Sequence, residues 1–412
     1  MTVTLLFHGY VIITKHFLMA SGAAPALVEV PARARRDYLL PLVLFCLGHF
    51  FVDLYSGALG ALQPVLVGRF HLSFTQAGIL GATLVCSSSV MQPLYGYLSD
   101  LYPTRLFSVL APAVAGVFIS SLMLAPSWWV LLVMVWLGGA GIASFHPQGA
   151  SNAVAKVKEG RSRAMAIFIC SGSIGMACGP AYFSAALGRL GSGSLEWAAL
   201  PAVVLTGVML AFMPPIESRR QASRKFDWTP LRAVRRPLSI LFLLVFLRSV
   251  VQITFTQFLP LYLHTQRGYS LTAANLSLSL YLLGGSIGGF AGGSLADRFG
   301  GRSVIIGSMI GSVPFLALFV FGQGILSAAG LFLGGLLLLF TIPVNVVMAQ
   351  ELAPQQAGTV SALMMGFGWG TAGLVFIPLT GWVADAFSMQ AAFSLLIAFP
   401  LLGFLLALRL PK

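Results

Sequence analysis

The chain has 412 residues, of which 58% are hydrophobic and only 8% charged. An ordinary soluble domain carries about 25% charged residues, so a water-soluble globule, a disordered chain and a collagen-like fibre are all excluded, leaving a polytopic membrane protein. A net charge of +13 would point to nucleic acid in a soluble protein, but here the positions of the charges give it another meaning.

Residues 1–37 read as a loosely ordered cytoplasmic extension. Leu5 to Leu18 is apolar but short, is broken by His8, Lys15 and His16, and lacks the leading basic residue that a signal peptide needs. Met19 would serve equally well as a beginning. Further along, spans are counted from the gaps between charges, because a helix needs about 20 apolar residues to cross the hydrocarbon core. The first span runs from Leu39 to about Val67. Arg69 to Asp100 encloses 30 uncharged residues, enough for one span, and Arg105 to Lys156 encloses 50, enough for two with a turn at Ala125-Pro126-Ser127. Arg163 to Arg189 and Glu196 to Glu217 complete six. The second half repeats the pattern. Leu238 to Leu263 is interrupted by Arg248, Arg267 to Asp297 has 29 uncharged residues, and Arg302 to Glu351 has 48 with a turn at Gly322-Gln323-Gly324. Glu351 to Asp385 and Asp385 to Arg409 bring the total to twelve.

Of the loop Lys and Arg residues, nineteen fall on one side and only Arg69, Arg189 and Arg267 on the other. By the positive-inside rule both termini are cytoplasmic, and the basic balance is a matter of topology with no nucleic-acid partner. Cys46, Cys86, Cys170 and Cys178 lie in apolar stretches and read as small buried hydrophobes.

The chain also repeats itself. Gly96-Tyr97-Leu98-Ser99-Asp100 through Arg105 aligns with Gly293-Ser294-Leu295-Ala296-Asp297 through Arg302 at an offset of 197, and Ser73-Phe74-Thr75 aligns with Ser270-Leu271-Thr272 at the same offset. Gly172, Gly175 and Pro180 match Gly370, Gly373 and Pro378 at 198. The expected fold is therefore an all-α membrane protein, twelve transmembrane helices in two pseudo-symmetric six-helix bundles. Its parts are an extension (1–37), a first bundle (38–212), a basic linker (213–236) and a second bundle (237–412). Parallel repeats of this kind place a cavity between the halves near the midplane.

Gly-x-Leu-Ala-Asp-Arg-x-Gly-Gly-Arg at Gly293–Arg302 resembles the signature after helices 2 and 8 of the major facilitator superfamily. The first-half copy departs from it at Leu101 and Pro103. Gly48-His49-Phe50-x-x-Asp53, Leu72-Ser73-Phe74-Thr75-Gln76-x-Gly78, Gln92-Pro93-x-x-Gly96-Tyr97, Phe145-His146-Pro147 and Ala349-Gln350-Glu351-Leu352-x-Pro354 resemble blocks of the fosmidomycin-resistance family of drug efflux transporters. The similarity covers about Gly48 to Leu402. It implies drug export, with fosmidomycin as substrate, in a bacterial inner membrane. It also implies that Gly96, Asp100, Arg105, Gly293, Asp297 and Arg302 form conformational latches at the cytoplasmic helix ends. Gly175-x-x-x-Gly179-Pro180 partly resembles the helix-5 motif of proton antiporters, with Phe183 and Ser184 where further glycines are expected, and it implies antiport.

Asp53 is the only acid near the middle of a span, and an ionisable group there costs at least ~2.5 kcal/mol, so it normally has a partner or a task. His49, Asp53, Ser56, Gly60 and Gln63 share one stripe of helix 1. Asp53 is expected to carry protons with His49 one turn away to share them; the alternative is a structural, hydrogen-bonded carboxylate. Arg248, the only base inside a span, forms a stripe with Gln252 and Thr256 on helix 7, the repeat mate of helix 1. Asp53 lies 11 residues before Pro64 and Arg248 lies 12 before Pro260, so the two charges sit at matching depth. They are expected to pair, directly or through water, across the cavity when it is empty, with a proton or an anionic substrate competing for the pair; the alternative is that Arg248 snorkels or anchors a helix. His146 and Gln148 are further candidates for the substrate site. Gly175, Gly179, Pro180, Gly285 and Gly289 are expected to allow close helix packing. No zinc spacing and no nucleophile–His–acid motif is present, and neither a cofactor nor a metal is expected.

The function these features point to is a proton-coupled exporter of a small anionic molecule by alternating access. An uptake symporter or facilitator for an organic anion is the second reading, and a receptor or enzyme the third. The expected partners are a small-molecule substrate, protons and the lipid bilayer, with the chain acting as a monomer.

Overall fold

The computed structural model describes residues 4–7, 10–13, 32–102, 104–157, 160–215 and 229–410. Most of the basic linker, residues 216–228, lies outside the described residues, as do Lys158, Lys412 and the side chain of Asp100.

The charge-free stretches fold as the expected helices. Among the described residues eleven are long and apolar enough to cross a membrane, and a shorter apolar helix, α3, makes a twelfth. They are α1 (Leu39–Phe70), α2 (Phe74–Ser99), α3 (Leu106–Ser120), α4 (Trp128–Asn152), α5 (Arg163–Leu190), α6 (Ser192–Phe212), α7 (Arg235–Thr265), α8 (Leu271–Phe299), α9 (Gly301–Phe321), α10 (Gly324–Leu352), α11 (Pro354–Ala386) and α12 (Met389–Ala407). Arg248 does not interrupt α7, since its side chain turns into the protein. One departure concerns the amino-terminal segment. Thr4–Phe7 and Tyr10–Ile13 form an antiparallel hairpin with Thr4 opposite Ile13, which the β-branched Val11-Ile12-Ile13 run favours over a loose extension.

Serine caps start α2, α4, α8 and α12. The hydroxyls of Ser73, Ser127, Ser270 and Ser388 each accept the amide of the residue three further on, satisfying one orphan donor of the first turn. All four lie at the end of the molecule opposite the basic loops, referred to below as the outer end.

The apolar side chains form two cores. One is built from residues between Leu42 and Met213. The other runs from Leu238 to Leu410 and also takes in Ala77, Val85 and Ala177 of the first half. Ala77 and Val85 lie on α2 and Ala177 on α5; the halves touch along α2–α11, α1–α7 and α5–α8. Glycines make the α2–α11 contact possible. A Cβ at Gly78 would stand 2.8 Å from Pro378 Cα, one at Gly373 2.9 Å from Val85 Cγ1, and one at Gly370 3.0 Å from Val90 Cγ2. Between α5 and α8, Ala181 N donates to Ser279 Oγ at 3.2 Å and Ser286 Oγ donates to Ser173 O at 3.4 Å.

At about the depth of Gly370 both α2 and α11 loosen into π-helical turns, Cys86–Val90 in α2 and Leu363–Gly368 in α11, which touch each other. Such turns bend a helix because one residue is inserted into the hydrogen-bond ladder. Beyond them Gln92–Leu101 packs on α4, and Thr341–Leu352 packs within the second half. The α2–α11 and α1–α7 contacts between halves therefore lie towards the outer end, on Phe74–Val85 with Trp369–Ala386 and on Ala58–Phe70 with α7.

Candidate functional site

Helix α1 carries His49 and Asp53 one turn apart, both 8% exposed. The Asp53 carboxylate lies between two imidazoles. His49 Nε2 is 3.3 Å from Oδ2, and His146 Nε2, from α4, is 3.4 Å from Oδ1. The other side of the His49 ring is fixed by α5, because its Nδ1 is 2.8 Å from the carbonyl oxygen of Phe168. A nitrogen facing a carbonyl must carry hydrogen, so a neutral His49 would turn the lone pair of Nε2 towards the carboxylate. The contact is attractive only if a proton lies between Nε2 and Oδ2, whether the imidazole or the acid holds it. An arrangement of this kind can hold a proton between the ring and the carboxylate. The His49 ring also stacks on Phe168, with centroids 4.2 Å apart, and meets His146 edge-on at 5.3 Å. His146, with its side chain 24% exposed, is the most open member.

The cluster depends on glycines of α5. A Cβ at Gly172 would stand 2.5 Å from both Asp53 Oδ2 and His49 Cε1, so the two side chains occupy the space a larger residue would need. One turn on, a Cβ at Gly175 would be 2.8 Å from Phe50 Cα, and at Gly179 3.3 Å from the Leu54 carbonyl carbon. The stripe Gly172, Gly175, Gly179 thus lets α5 lie directly on α1, with Pro180 inside the helix just beyond. On α8 the expected packing position Gly289 meets open space, as does Gly293. The close approach there is made by Gly285 against Leu339 and by Gly284, Gly288 and Gly292 against the backbone of α10, because those glycines lie on the face turned to that helix.

Arg248 is 4% exposed, so it does not snorkel. Its guanidinium donates to Ser249 Oγ at 3.0 Å and to Gln252 Oε1, and Nε has no partner. The expected direct pairing with Asp53 is not made. Both ion pairs among the described residues belong to Asp53 and the two histidines of its own half. Arg248 instead turns along its own helix towards neutral groups. Thr256 is also engaged locally, its hydroxyl donating to Gln252 O at 2.9 Å. Gln148, only 3% exposed, donates to Thr104 O at 2.9 Å, so its amide holds the α2–α3 loop. Two further polar side chains of the second half, Tyr281 and Asn345, are fully buried and lack hydrogen-bond partners.

At the basic-loop end the described partners of Arg105 and Arg302 are main-chain carbonyls. Arg105 donates to Leu210 O at 2.9 Å and to Met213 O, and Arg302 donates to Leu408 O at 3.0 Å. Each arginine thus closes on the carboxyl end of the last helix in its own half, where free carbonyls and the helix dipole favour a cation. Asp297 forms no ion pair among the described residues. A Cβ at Gly96 would make only ordinary contact with Pro147, at 3.8 Å.

Two imidazoles and a carboxylate with ligand atoms within 4.8 Å of one another are also a donor set that a divalent metal accepts. Sequence spacing did not reveal it, since His146 comes from a different helix. Gly172, the Phe168 carbonyl and Asp385, a cross-half acid treated below, were likewise missed.

The family profile of the Major Facilitator Superfamily matches residues 45–376 and 268–412. The chain belongs to this superfamily. Among curated superfamily proteins it is 33% identical to an uncharacterized MFS-type transporter, YfnC, of Bacillus subtilis (strain 168), over 90% of this chain and 92% of that one. It is 30% identical to the fosmidomycin resistance protein of Escherichia coli (strain K12), over 87% of this chain and 90% of the relative. A solved bacterial homolog of the human lysosomal transporter Spinster, inward-facing and occupied, superposes with a TM-score of 0.77 at 13% identity, covering 90% of this chain and 96% of that one. The chain is accordingly a multi-pass transporter of the superfamily and not an enzyme.

Proposed function

We propose that this superfamily member is a proton-coupled exporter of small anionic molecules, fosmidomycin-like in charge, which works by alternating access. The observation that carries the reading is the Asp53 carboxylate set between His49 and His146 in a bundle whose α2–α11 and α1–α7 contacts between halves lie towards the outer end. A proton is the smallest cargo such a cluster holds, and its arrival or departure changes the charge of a buried site by one unit. Intramembrane acids and histidines of this kind mark proton pathways. Arg248 supports an anionic substrate. It is a buried cation whose described hydrogen-bond partners are neutral and whose Nε is unpaired, so an anion is the ligand that relieves its burial. The E. coli relative's name, fosmidomycin resistance protein, agrees with export of a phosphonate.

In this reading residues 38–212 and 237–412 move as two bodies about the site, with 213–236 as the connecting linker. The protein is a monomer in the bacterial inner membrane, with both termini in the cytoplasm. Asp53 and His49 carry the proton, and His146 relays it. Arg248, Gln252 and Thr256 line the anion site, which brings Arg248 within reach of Asp53 only when the halves rearrange.

Transport of fosmidomycin into inside-out vesicles tests the proposal. An imposed proton gradient is expected to drive accumulation in the parent protein, and Asp53→Asn is expected to abolish it. Accumulation should persist in the presence of a strong chelator. Loss on chelation would make the cluster a metal site, and undiminished accumulation by Asp53→Asn would end the coupling scheme. An organic-anion uptake symporter, the second reading, would need Arg248 equally, and it predicts proton-driven accumulation in right-side-out vesicles only.

A further inference from the structure

We propose that Asp385 is a positioning residue that latches the outer gate, holding α11 of the second half to the amino terminus of α2 in the first. Its carboxylate accepts three hydrogen bonds from residues some 310 positions away in sequence: Phe74 N to Oδ1 at 2.8 Å, Thr75 N to Oδ2 at 2.8 Å, and Thr75 Oγ1 to Oδ2 at 2.6 Å.

The local chemistry of α2 explains why those donors are free. A helix leaves its first amides without intrahelical partners. Ser73 and Gln76 form a complete capping box, in which Ser73 Oγ accepts Gln76 N at 3.1 Å and Gln76 Oε1 accepts Ser73 N at 2.9 Å. That box serves the N-cap and the third helical residue and leaves the amides of Phe74 and Thr75 open. Those are the two that Asp385 takes, with a negative charge where the helix dipole favours it.

Backbone packing prepares the contact. One turn before Asp385, a Cβ at Gly381 would stand 2.7 Å from the Phe74 carbonyl carbon and 2.9 Å from Thr75 Cα. The two chains therefore touch main chain to main chain beneath the carboxylate. Asp385 is exposed, but all three bonds cross between the halves, so separating the halves at this end would break them together; they belong to the closed outer gate and are absent from an outward-open one. The latch is also one-sided. At the 198-residue offset that relates α5 to α11, the position equivalent to Asp385 is Leu187, and the start of α8 keeps only its Ser270 cap. This reading rests on the alternating-access mechanism above, though not on the identity of substrate or proton carrier.

Ala77 is fully buried within the core of the second half and serves as the reporter. In a full-length chain whose four cysteines are replaced, Ala77→Cys is labelled by a membrane-impermeant maleimide in right-side-out vesicles. Asp385→Asn, which keeps the shape but loses the charge, is expected to raise the labelling rate about tenfold, and Asp385→Glu to restore it most of the way. A rate unchanged by Asp385→Asn overturns the latch. Since a structural defect could also expose the reporter, a second variant is required. Thr75→Cys with Asp385→Cys, oxidised, is expected to stop transport reversibly, with reductant restoring it. Full transport by the cross-linked protein would equally overturn the proposal. Labelling needs neither substrate nor gradient, so its outcome is independent of whether Asp53 couples protons.

Discussion

At the scale of single residues, the site is defined as much by a missing side chain as by the charged ones. Gly172 is the floor on which His49 and Asp53 rest, with no room for a Cβ beside Asp53 Oδ2. Gly172→Ala must push the carboxylate or the imidazole aside, an overpacking cost of about 1–3 kcal/mol that falls on the cluster itself. We expect this variant to insert and fold but to lose most proton-driven transport, whereas Gly188→Ala on the same helix, where a Cβ meets open space, should transport normally. Vesicle uptake measured against protein content checks the pair, and equal activity in the two would remove Gly172 from the site. Arg248 gives a second residue-scale expectation. Lysine keeps the charge but cannot reproduce the forked guanidinium that reaches Gln252 and Ser249 together. Arg248→Lys should raise the KM for an anionic substrate severalfold with less effect on the maximal rate, and an unchanged KM would place the anion elsewhere.

At the scale of helices, the same arginine motif recurs in both halves and does the same work. Arg105 holds the end of α6 and Arg302 the end of α12, each by bonds to terminal carbonyls within its own bundle. Their replacement by alanine is expected to cost stability, about 1 kcal/mol each. The contacts lie in different halves, so the losses should add. Thermal unfolding in detergent of the two single variants and the double variant reads this directly. A conformational latch would instead leave the melting temperature in place and shift the gate.

How far the sequence reached is visible in these elements. The helices were legible because lipid disfavours unpaired charge, so apart from Asp53 and Arg248 the charges mark helix ends. The His49–Asp53 pair was legible because one turn of helix brings them together. Rotation about the helix axis could not be read from the prolines of α1 and α7, and the Arg248 side chain turns to Ser249 and Gln252. His146 and Asp385 find partners only through contacts between helices, which no spacing along one helix encodes.

For the whole molecule, closure at the outer end requires α2 and α11 to meet almost without side chains between them. Gly78 faces Pro378, whose ring and backbone have little freedom to retreat, and Gly381 faces the Phe74–Thr75 backbone from the other helix. A β-branched residue at Gly78 should therefore prop the outer gate open while leaving each bundle with its own core intact. Gly78→Val is expected to give a well-folded protein that labels at Ala77→Cys from the outside at a high rate, irrespective of Asp385. It should still bind substrate from that side, yet fail to complete a cycle, because a carrier that cannot close one gate cannot open the other without becoming a channel. Normal turnover by Gly78→Val would mean that α2 and α11 need not approach this closely, and the gate would have to be sought along α1–α7 or α5–α8.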